Sequence, residues 1–235
     1  MSDEPVIVLD PGHGGHDSGA VGHGKTEAAL VLAISLATQR ALQKYHCLPL
    51  LTRDTDTFVT LTGRAKFANA RKTEAFISFH ANASDNVHAN GIEVFTTKGD
   101  TKADDLASLL FEEVSDITTQ RRRVDMSDGD VDKEANFAVL RHTKAPAALF
   151  EFGFITNQGE CAVMHQKVEA YAAAVALAVV RFLKLSPRTD KTPLGGAKIE
   201  HVATHAANAA TLDAINHLER RFAAEVIILK KKLLS

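Results

Sequence analysis

At 235 residues the chain has room for one sizeable domain and a small appendage. Its 45% hydrophobic and 24% charged residues are ordinary for a soluble globular protein. Its formal net charge of −2 excludes bulk attraction to nucleic acid or anionic lipid.

The N-terminus, Met1-Ser2-Asp3-Glu4-Pro5, has neither a basic n-region nor an apolar h-region, so no secretory signal is expected in this chain and a cytoplasmic start is. Val6 to Leu9 is an apolar run of strand length, cut off by Asp10-Pro11-Gly12-His13-Gly14-Gly15. Glu27 to Lys44 carries Leu30, Ala33, Ile34, Ala37 and Ala41 at helical spacing. Leu48 to Thr52 reads as a strand, Leu61 to Arg71 as a helix, and Ala75 to Phe79 as a strand ending in His80. Ile92 to Thr97 follows as a strand. Ala103 to Thr119 is a helix with Leu106, Leu109, Leu110, Val114 and Ile117 on one face. Phe137 to Leu140 and Ala147 to Phe152 read as two more strands, and Val163 to Leu183 as one long apolar helix whose core, Ala172 to Val180, is too short to span a bilayer. Cys47 and Cys161, far apart and outside any CxxC pair, read as reduced core thiols. This alternation predicts an α/β fold: a mostly parallel twisted sheet with helices on both faces.

The segment 186–198, with Pro187, Pro193, Gly195 and Gly196, reads as a linker closing a catalytic domain of residues 1–185. In the C-terminal region 199–235, Thr211 to Leu234 places Ile215, Leu218, Phe222, Val226, Leu229 and Leu233 three or four residues apart. This predicts an amphipathic helix for self-association (a homo-oligomer) or cell-wall binding.

Four chemically able residues share one geometric property. His13 follows the first strand, Glu27 opens the first helix, His80 ends the third strand, and Glu151 lies late in Ala147-Ala148-Leu149-Phe150-Glu151. In a parallel sheet these strand ends share one rim, where ligands bind in open α/β folds. Two imidazoles and a carboxylate make a His2Glu set, a common catalytic zinc arrangement that leaves a position for water. A further carboxylate in an apolar strand, as Glu151 is, has its pKa pushed up by desolvation into the range useful for acid/base work. Each residue also has an ordinary reading. His13 can cap a turn, His80 can bond to backbone, Glu27 suits the positive end of a helix dipole, and Glu151 can face solvent from an edge strand. His16 and His23 read as exposed or substrate-contacting, and His142 as a substrate contact at a strand end.

Several blocks together resemble zinc-dependent N-acetylmuramoyl-L-alanine amidases. They are Leu9-Asp10-Pro11-Gly12-His13-Gly14-Gly15, Thr52-Arg53-Asp54-Thr55-Asp56, Ile77-Ser78-Phe79-His80-Ala81-Asn82-Ala83 and Phe150-Glu151-Phe152-Gly153-Phe154-Ile155-Thr156-Asn157. Gly91-Ile92-Glu93-Val94-Phe95 and Asn136-Phe137-Ala138-Val139-Leu140-Arg141 fit the same pattern. The resemblance covers roughly residues 5 to 184. It implies a sheet of about six strands, one Zn2+ held by His13, Glu27 and His80, and Glu151 as catalytic acid/base. It implies hydrolysis of the amide between N-acetylmuramic acid and L-alanine of peptidoglycan, with Asn82, Gly14 and Gly15 as substrate or supporting contacts. The stretch from His80 to Glu151 has no room for the occluding regulatory helix of some members. With no signal sequence, that suggests an open phage endolysin, held in the host cytoplasm until lysis and neither membrane-inserted nor nucleic-acid-binding. A bacterial wall-remodelling or sporulation amidase is the alternative. A zinc peptidase cutting within the stem peptide, or a wall-binding module without chemistry, would use the same scaffold.

Overall fold

The computed structural model describes residues 4–188. Most of the expected linker and the whole C-terminal helix therefore lie outside the described residues. Ser186, Pro187 and Arg188 run against the domain: His46 N donates to Ser186 O, and Arg188 Nη2 donates to Glu4 Oε2 at 2.6 Å.

The central sheet has six strands in the order β4-β1-β5-β8-β6-β7. Its middle is formed by the most apolar runs, β1 (Val6–Pro11), β5 (Thr73–Asn82) and β8 (Ala147–Phe154), all mutually parallel, with β4 (Leu48–Leu51) parallel to β1 on the outside. Strands buried on both faces need no polar alternation, and these are buried along most of their length. β6 (Glu93–Thr96) runs antiparallel to β8, and β7 (Lys133–Glu134) is parallel to β6. The reversal follows from connectivity, because segment 83–92 between β5 and β6 holds no helix and a parallel return needs a crossover.

Helix starts are set by their caps. α1 (Glu27–Leu42) follows a small hairpin of β2 (Val21–Gly22) and β3 (Lys25–Thr26), and Thr26 caps it by accepting from Ala29 N. Thr60 caps α2 (Leu61–Asn69) in the same way, and Thr101 with Asp104 forms a capping box on α3 (Lys102–Asp116). On one face of the sheet α1, α3 and α6 (Val168–Leu183) enclose the larger core. There Ile7, Leu9, Ile77, Phe79, Phe150 and Phe152 meet Ile34, Leu110, Phe111 and Tyr171. Each such fully buried side chain contributes about 1.5–3 kcal/mol. The other face is thinner: Val8, Phe76 and Leu149 pack on Ala68 of α2 and on Val139 and Leu140 of α4 (Ala138–His142).

Two expectations are corrected here. Phe137 to Leu140 is not a strand. Phe137 precedes the short helix α4, which turns Val139 and Leu140 together onto the sheet, where both are buried. The sixth strand is β7 instead. The single helix expected over 163–183 is two, α5 (Gln158–Gln166) and α6, bent by 71° around Lys167. Lys167 leaves helical geometry and its Nζ donates to Ile117 O at 2.7 Å. Among the described residues no single helix is long and apolar enough to cross a membrane. Cys47 and Cys161 are free and buried, as expected of core thiols.

Candidate active site

The loop leaving β1 is held by two buried arginines. Arg53 donates to Pro11 O, Gly12 O, Ala28 O and Thr55 O, and Arg64 donates to Pro11 O, His13 O, Val59 O and the buried Asp10 carboxylate. Asp10 also accepts from Thr52 Oγ1 and Ser78 Oγ. This lattice holds His13 at φ 59°, a left-handed conformation that costs a non-glycine residue about 1–3 kcal/mol and persists only where surroundings impose it. The imidazole is thereby turned inward, with Nδ1 2.9 Å from Asp17 Oδ2 and Nε2 3.1 Å from Glu27 Oε1.

Glu27 opens α1 where the chain returns from that loop. Its Oε2 accepts from Ala20 N at 2.9 Å and its Oε1 from Ala81 N at 3.0 Å, so the carboxylate is fixed from both sides. His80 Nδ1, from β5, lies 2.8 Å from the same Oε1. Two imidazole nitrogens and one carboxylate oxygen thus converge, as a metal-binding triad requires. Burial alone would raise the Glu27 pKa, but its hydrogen bonds with His13 and His80 and their charges hold it well below the usual carboxylate range. The hydrogen bond that His13 donates to Glu27 raises the His13 pKa against the opposing effect of burial, and Asp17, bonded to His13, is lowered. Space around the triad is reserved by glycines. A Cβ on Gly12 would lie 2.4 Å from His80 Cε1, and one on Gly19 would lie 2.6 Å from Glu27 Oε2. His13 and His80 keep 23% and 20% of their side chains exposed, so the triad is reachable from solvent.

Glu151 is the register partner of His80 across β5 and β8, and Glu93 of β6 is the register partner of Glu151 on its other side. The Glu151 Oε2 atom is buried with no hydrogen-bond partner. Desolvation first, then the charges of Glu27 and Glu93, push its pKa well above the carboxylate range. Glu93 is itself buried and paired with Arg123, with Lys133 Nζ at 2.5 Å and with Asn82 Nδ2 at 3.2 Å. The arrangement offers an ion-binding triad beside a carboxyl group whose pKa is raised by burial, the two components that metal-assisted amide hydrolysis needs.

His13, Glu27, His80 and Glu151 therefore meet at one rim, as their strand-end positions predict. Asn82 lies there too, but its amide is bonded to Glu93 and to Ala83 N. The Gly14 and Gly15 amides are occupied as well, donating to Asp17 O and to Asp56 Oδ1. His142 is a correction. It lies at the end of α4, before β8 begins, with its carbonyl accepting from Asn69 Nδ2, whereas Glu151 lies late in β8. A four-residue apolar run does not distinguish strand from helix, and the strand reading put His142 at the wrong end. His16 packs on Phe58, and His23 Nε2 contacts Thr156 O. Sequence reasoning missed Asp17, Arg53, Arg64 and Glu93 as parts of the site. Arg53 and Glu93 stood inside resemblance blocks, which was the available signal.

Comparison with known proteins finds relatives for this chain and its fold. Residues 7–183 match the pattern of the N-acetylmuramoyl-L-alanine amidase family. The chain is 34% identical over 175 residues to the N-acetylmuramoyl-L-alanine amidase LytC of Bacillus subtilis (strain 168), covering 73% of this chain and 34% of LytC. It is 36% identical over 155 residues to the probable cell wall amidase LytH of Staphylococcus aureus, covering 65% of this chain and 48% of LytH. It thus spans about a third to a half of these two relatives. The catalytic domain of CwlV, an N-acetylmuramoyl-L-alanine amidase from Bacillus (Paenibacillus) polymyxa var. colistinus, superposes with a TM-score of 0.69 at 29% identity. The match covers 77% of this chain and 99% of that domain.

Proposed function

The chain belongs to the N-acetylmuramoyl-L-alanine amidase family, a family of amide hydrolases, and from that membership we infer that it is a zinc enzyme cleaving the bond between N-acetylmuramic acid and L-alanine in peptidoglycan. The observation that carries this reading is the convergence of His13 Nε2 and His80 Nδ1 on Glu27 Oε1, with Glu151 on the strand beside His80. The donor set fits zinc: two imidazoles and one carboxylate, with an exposed side from which a substrate can enter. His13, Glu27 and His80 would hold that ion, which when bound supplies a Lewis acid for water and carbonyl oxygen. Asp17 keeps the His13 ring oriented through Nδ1.

Glu151 moves the proton. As carboxylate it accepts a proton from the water that attacks the lactyl carbonyl. As carboxylic acid it delivers that proton to the alanine nitrogen while the C–N bond breaks, leaving a lactyl carboxylic acid and a free amino terminus. Its desolvated position favours the protonated form, which suits the second of these roles.

Two biological settings have support. The stretch between β5 and β8, in which α3 is the one long helix among the described residues, suits an uncovered endolysin-type site. The matched relatives from B. subtilis and S. aureus are bacterial proteins, which supports wall remodelling. The C-terminal pattern of apolar residues supports self-association. Sedimentation of the full chain against residues 1–186 tests that, and identical monomeric masses would reject it.

Digestion of purified peptidoglycan, with the new ends identified by mass spectrometry, tests the activity. New L-alanine amino termini on intact stem peptides are expected. New ends within the peptide would replace this reading with a peptidase, and no cleavage would leave a wall-binding module.

A further inference from the structure

A second acidic cluster lies away from the triad, three residues along β6 from Glu93. The side chains of Asp104, in the first turn of α3, and of Asp130 and Asp132, just before β7, each offer an oxygen within 4.8 Å of the others. Three carboxylates this close repel one another unless a positive charge or protons intervene. None of the described lysines or arginines pairs with any of them, and the neighbouring Lys133 is turned away to Glu93. Asp132 is only 2% exposed, its Oδ2 accepts from Thr96 Oγ1 at 2.6 Å, and its Oδ1 is buried with no hydrogen-bond partner. Thr96 has a single hydroxyl hydrogen, yet its oxygen also lies 3.2 Å from Asp104 Oδ1 and 3.3 Å from Thr97 O. Backbone amides serve two of the carboxylates, Thr101 N donating to Asp104 Oδ2 and Asp132 N to Asp130 Oδ1, but no donor reaches the buried Asp132 Oδ1. Leaving one such buried acceptor unmet is costly, and a cation would satisfy several together.

We propose that Asp104, Asp130 and Asp132, with the Thr96 hydroxyl, bind a hard divalent cation, and that the cation is Ca2+. Oxygen-only ligands exclude a soft-metal preference. Carboxylates brought together from a helix turn and an irregular segment suit the large, geometrically tolerant Ca2+ better than the strictly octahedral Mg2+, with water completing the shell. Burial, and then the neighbouring Asp130 and Asp104, push the Asp132 pKa up to about 7, so without a cation this cluster retains a proton near neutrality.

The site has a structural consequence. Segment 117–132 joins α3 to β7 and carries Arg123, which pairs with Glu93. Lys133, directly after Asp132, pairs with Glu93 as well. A cation at Asp130 and Asp132 would tie the C-terminal end of that segment to β6 and to the first turn of α3. It would steady the arms that hold Glu93 beside Glu151.

The test uses the full chain, freed of loosely bound metal by gel filtration and resupplied with one equivalent of zinc. CaCl2 is titrated calorimetrically, and unfolding is followed by differential scanning. One saturable site in the micromolar-to-millimolar range is expected, with a Tm rise of about 5 °C at saturation. Asp132→Asn and, at the half-buried position, Asp130→Asn should each abolish both signals. Asp130→Asn keeps the test sound if Asp132→Asn fails to fold. Absence of saturable heat with an unchanged Tm would overturn the proposal. So would a Tm rise that persists in Asp130→Asn, or one reproduced by NaCl at matched ionic strength. These readouts do not depend on peptidoglycan cleavage, so they stand apart from the fate of the amidase reading.

Discussion

His80 and Glu151 are register partners on adjacent parallel strands. Neighbouring strands lie about 4.8 Å apart, so an imidazole of the triad and an acid are fixed side by side by backbone hydrogen bonds rather than by loops. Glu93 continues the same row on the other side of Glu151. Glu151 is thus desolvated by the strands themselves and flanked by carboxylates at Glu27 and Glu93, and its raised pKa is a consequence of the sheet.

Glu151→Gln separates its chemistry from its effect on the fold. Activity on peptidoglycan should fall about 10²–10⁴-fold, the usual contribution of a positioned acid/base, while zinc content stays unchanged. The stability of the metal-free protein should move the other way. The folded pKa of Glu151 lies above its ordinary value of 4.5. Its contribution is therefore complete below that pH and is lost as pH rises through the folded value. Glutamine cannot ionise, so the variant should melt above wild type at mildly alkaline pH, by a few degrees for about 1–3 kcal/mol of relieved burial, and the gap should close near pH 4.5. Scanning calorimetry at the two pH values checks this. A gap of equal size at both would reject the buried-proton account.

Metal binding should release protons near neutrality. The hydrogen bond donated to Glu27 raises the His13 pKa above 6.5, and an imidazole must be neutral to act as a ligand. Zinc affinity should therefore fall as pH drops through that raised value. In the metal-free protein the same contact has the opposite sense for stability: it is fully present below pH 6.5 and is lost as pH rises through the raised value. Glu27→Gln removes both a ligand and the anion that raises His13. It should cut affinity by well over tenfold and reduce the proton release. Titration calorimetry in two buffers of different ionisation heat measures the protons directly. Zero release at neutral pH in the wild type would contradict the His13–Glu27 coupling.

His13, His80 and Glu151 were legible because they stand just after, at the end of, or inside an apolar strand run, and Glu27 because it opens the helix that follows the His13 loop; a parallel sheet turns such positions into one rim. His142 was misplaced because Phe137-Ala138-Val139-Leu140 is too short to carry a period. Its helix is decided by what Val139 and Leu140 pack against on the sheet. The break at Lys167 was invisible for a related reason: apolar residues continue on both sides, and the bend depends on the tertiary contact with Ile117. Arg53, Arg64 and Asp10 have charges that read as solvated in a sequence, and only the fold buries them together under the His13 loop.

Gly12→Ala probes crowding at the triad without a change in backbone preference, since Gly12 does not occupy the left-handed region. The added methyl would sit 2.4 Å from His80 Cε1 and 2.6 Å from Nε2, so the ring must shift from the position in which it meets Glu27. Zinc affinity should drop about 10–100-fold, as when a supporting contact of a ligand is lost. Competition with a chromophoric chelator provides the measurement. Wild-type affinity would show that His80 has freedom the packing does not suggest.

Arg64 tests whether the left-handed conformation of His13 is imposed by its surroundings. The residue is 2% exposed, and its guanidinium lies 2.8 Å from Asp10 Oδ1 and donates to Pro11 O at 2.6 Å and His13 O at 2.7 Å. Arg64→Ala leaves Asp10 buried without its counter-ion and should destabilise the fold by about 3–5 kcal/mol. Arg64→Lys retains the charge but cannot reach the three acceptors as a planar fork does. It should therefore lose less stability, yet still weaken zinc binding, because the carbonyl of His13 is no longer held. Urea unfolding of the metal-free variants, paired with zinc titration, separates the two effects. If Arg64→Lys loses stability with zinc affinity intact, the strain at His13 is maintained by Asp17 and Arg53 instead. If it loses affinity with stability nearly intact, the arginine fork sets the position of the His13 imidazole.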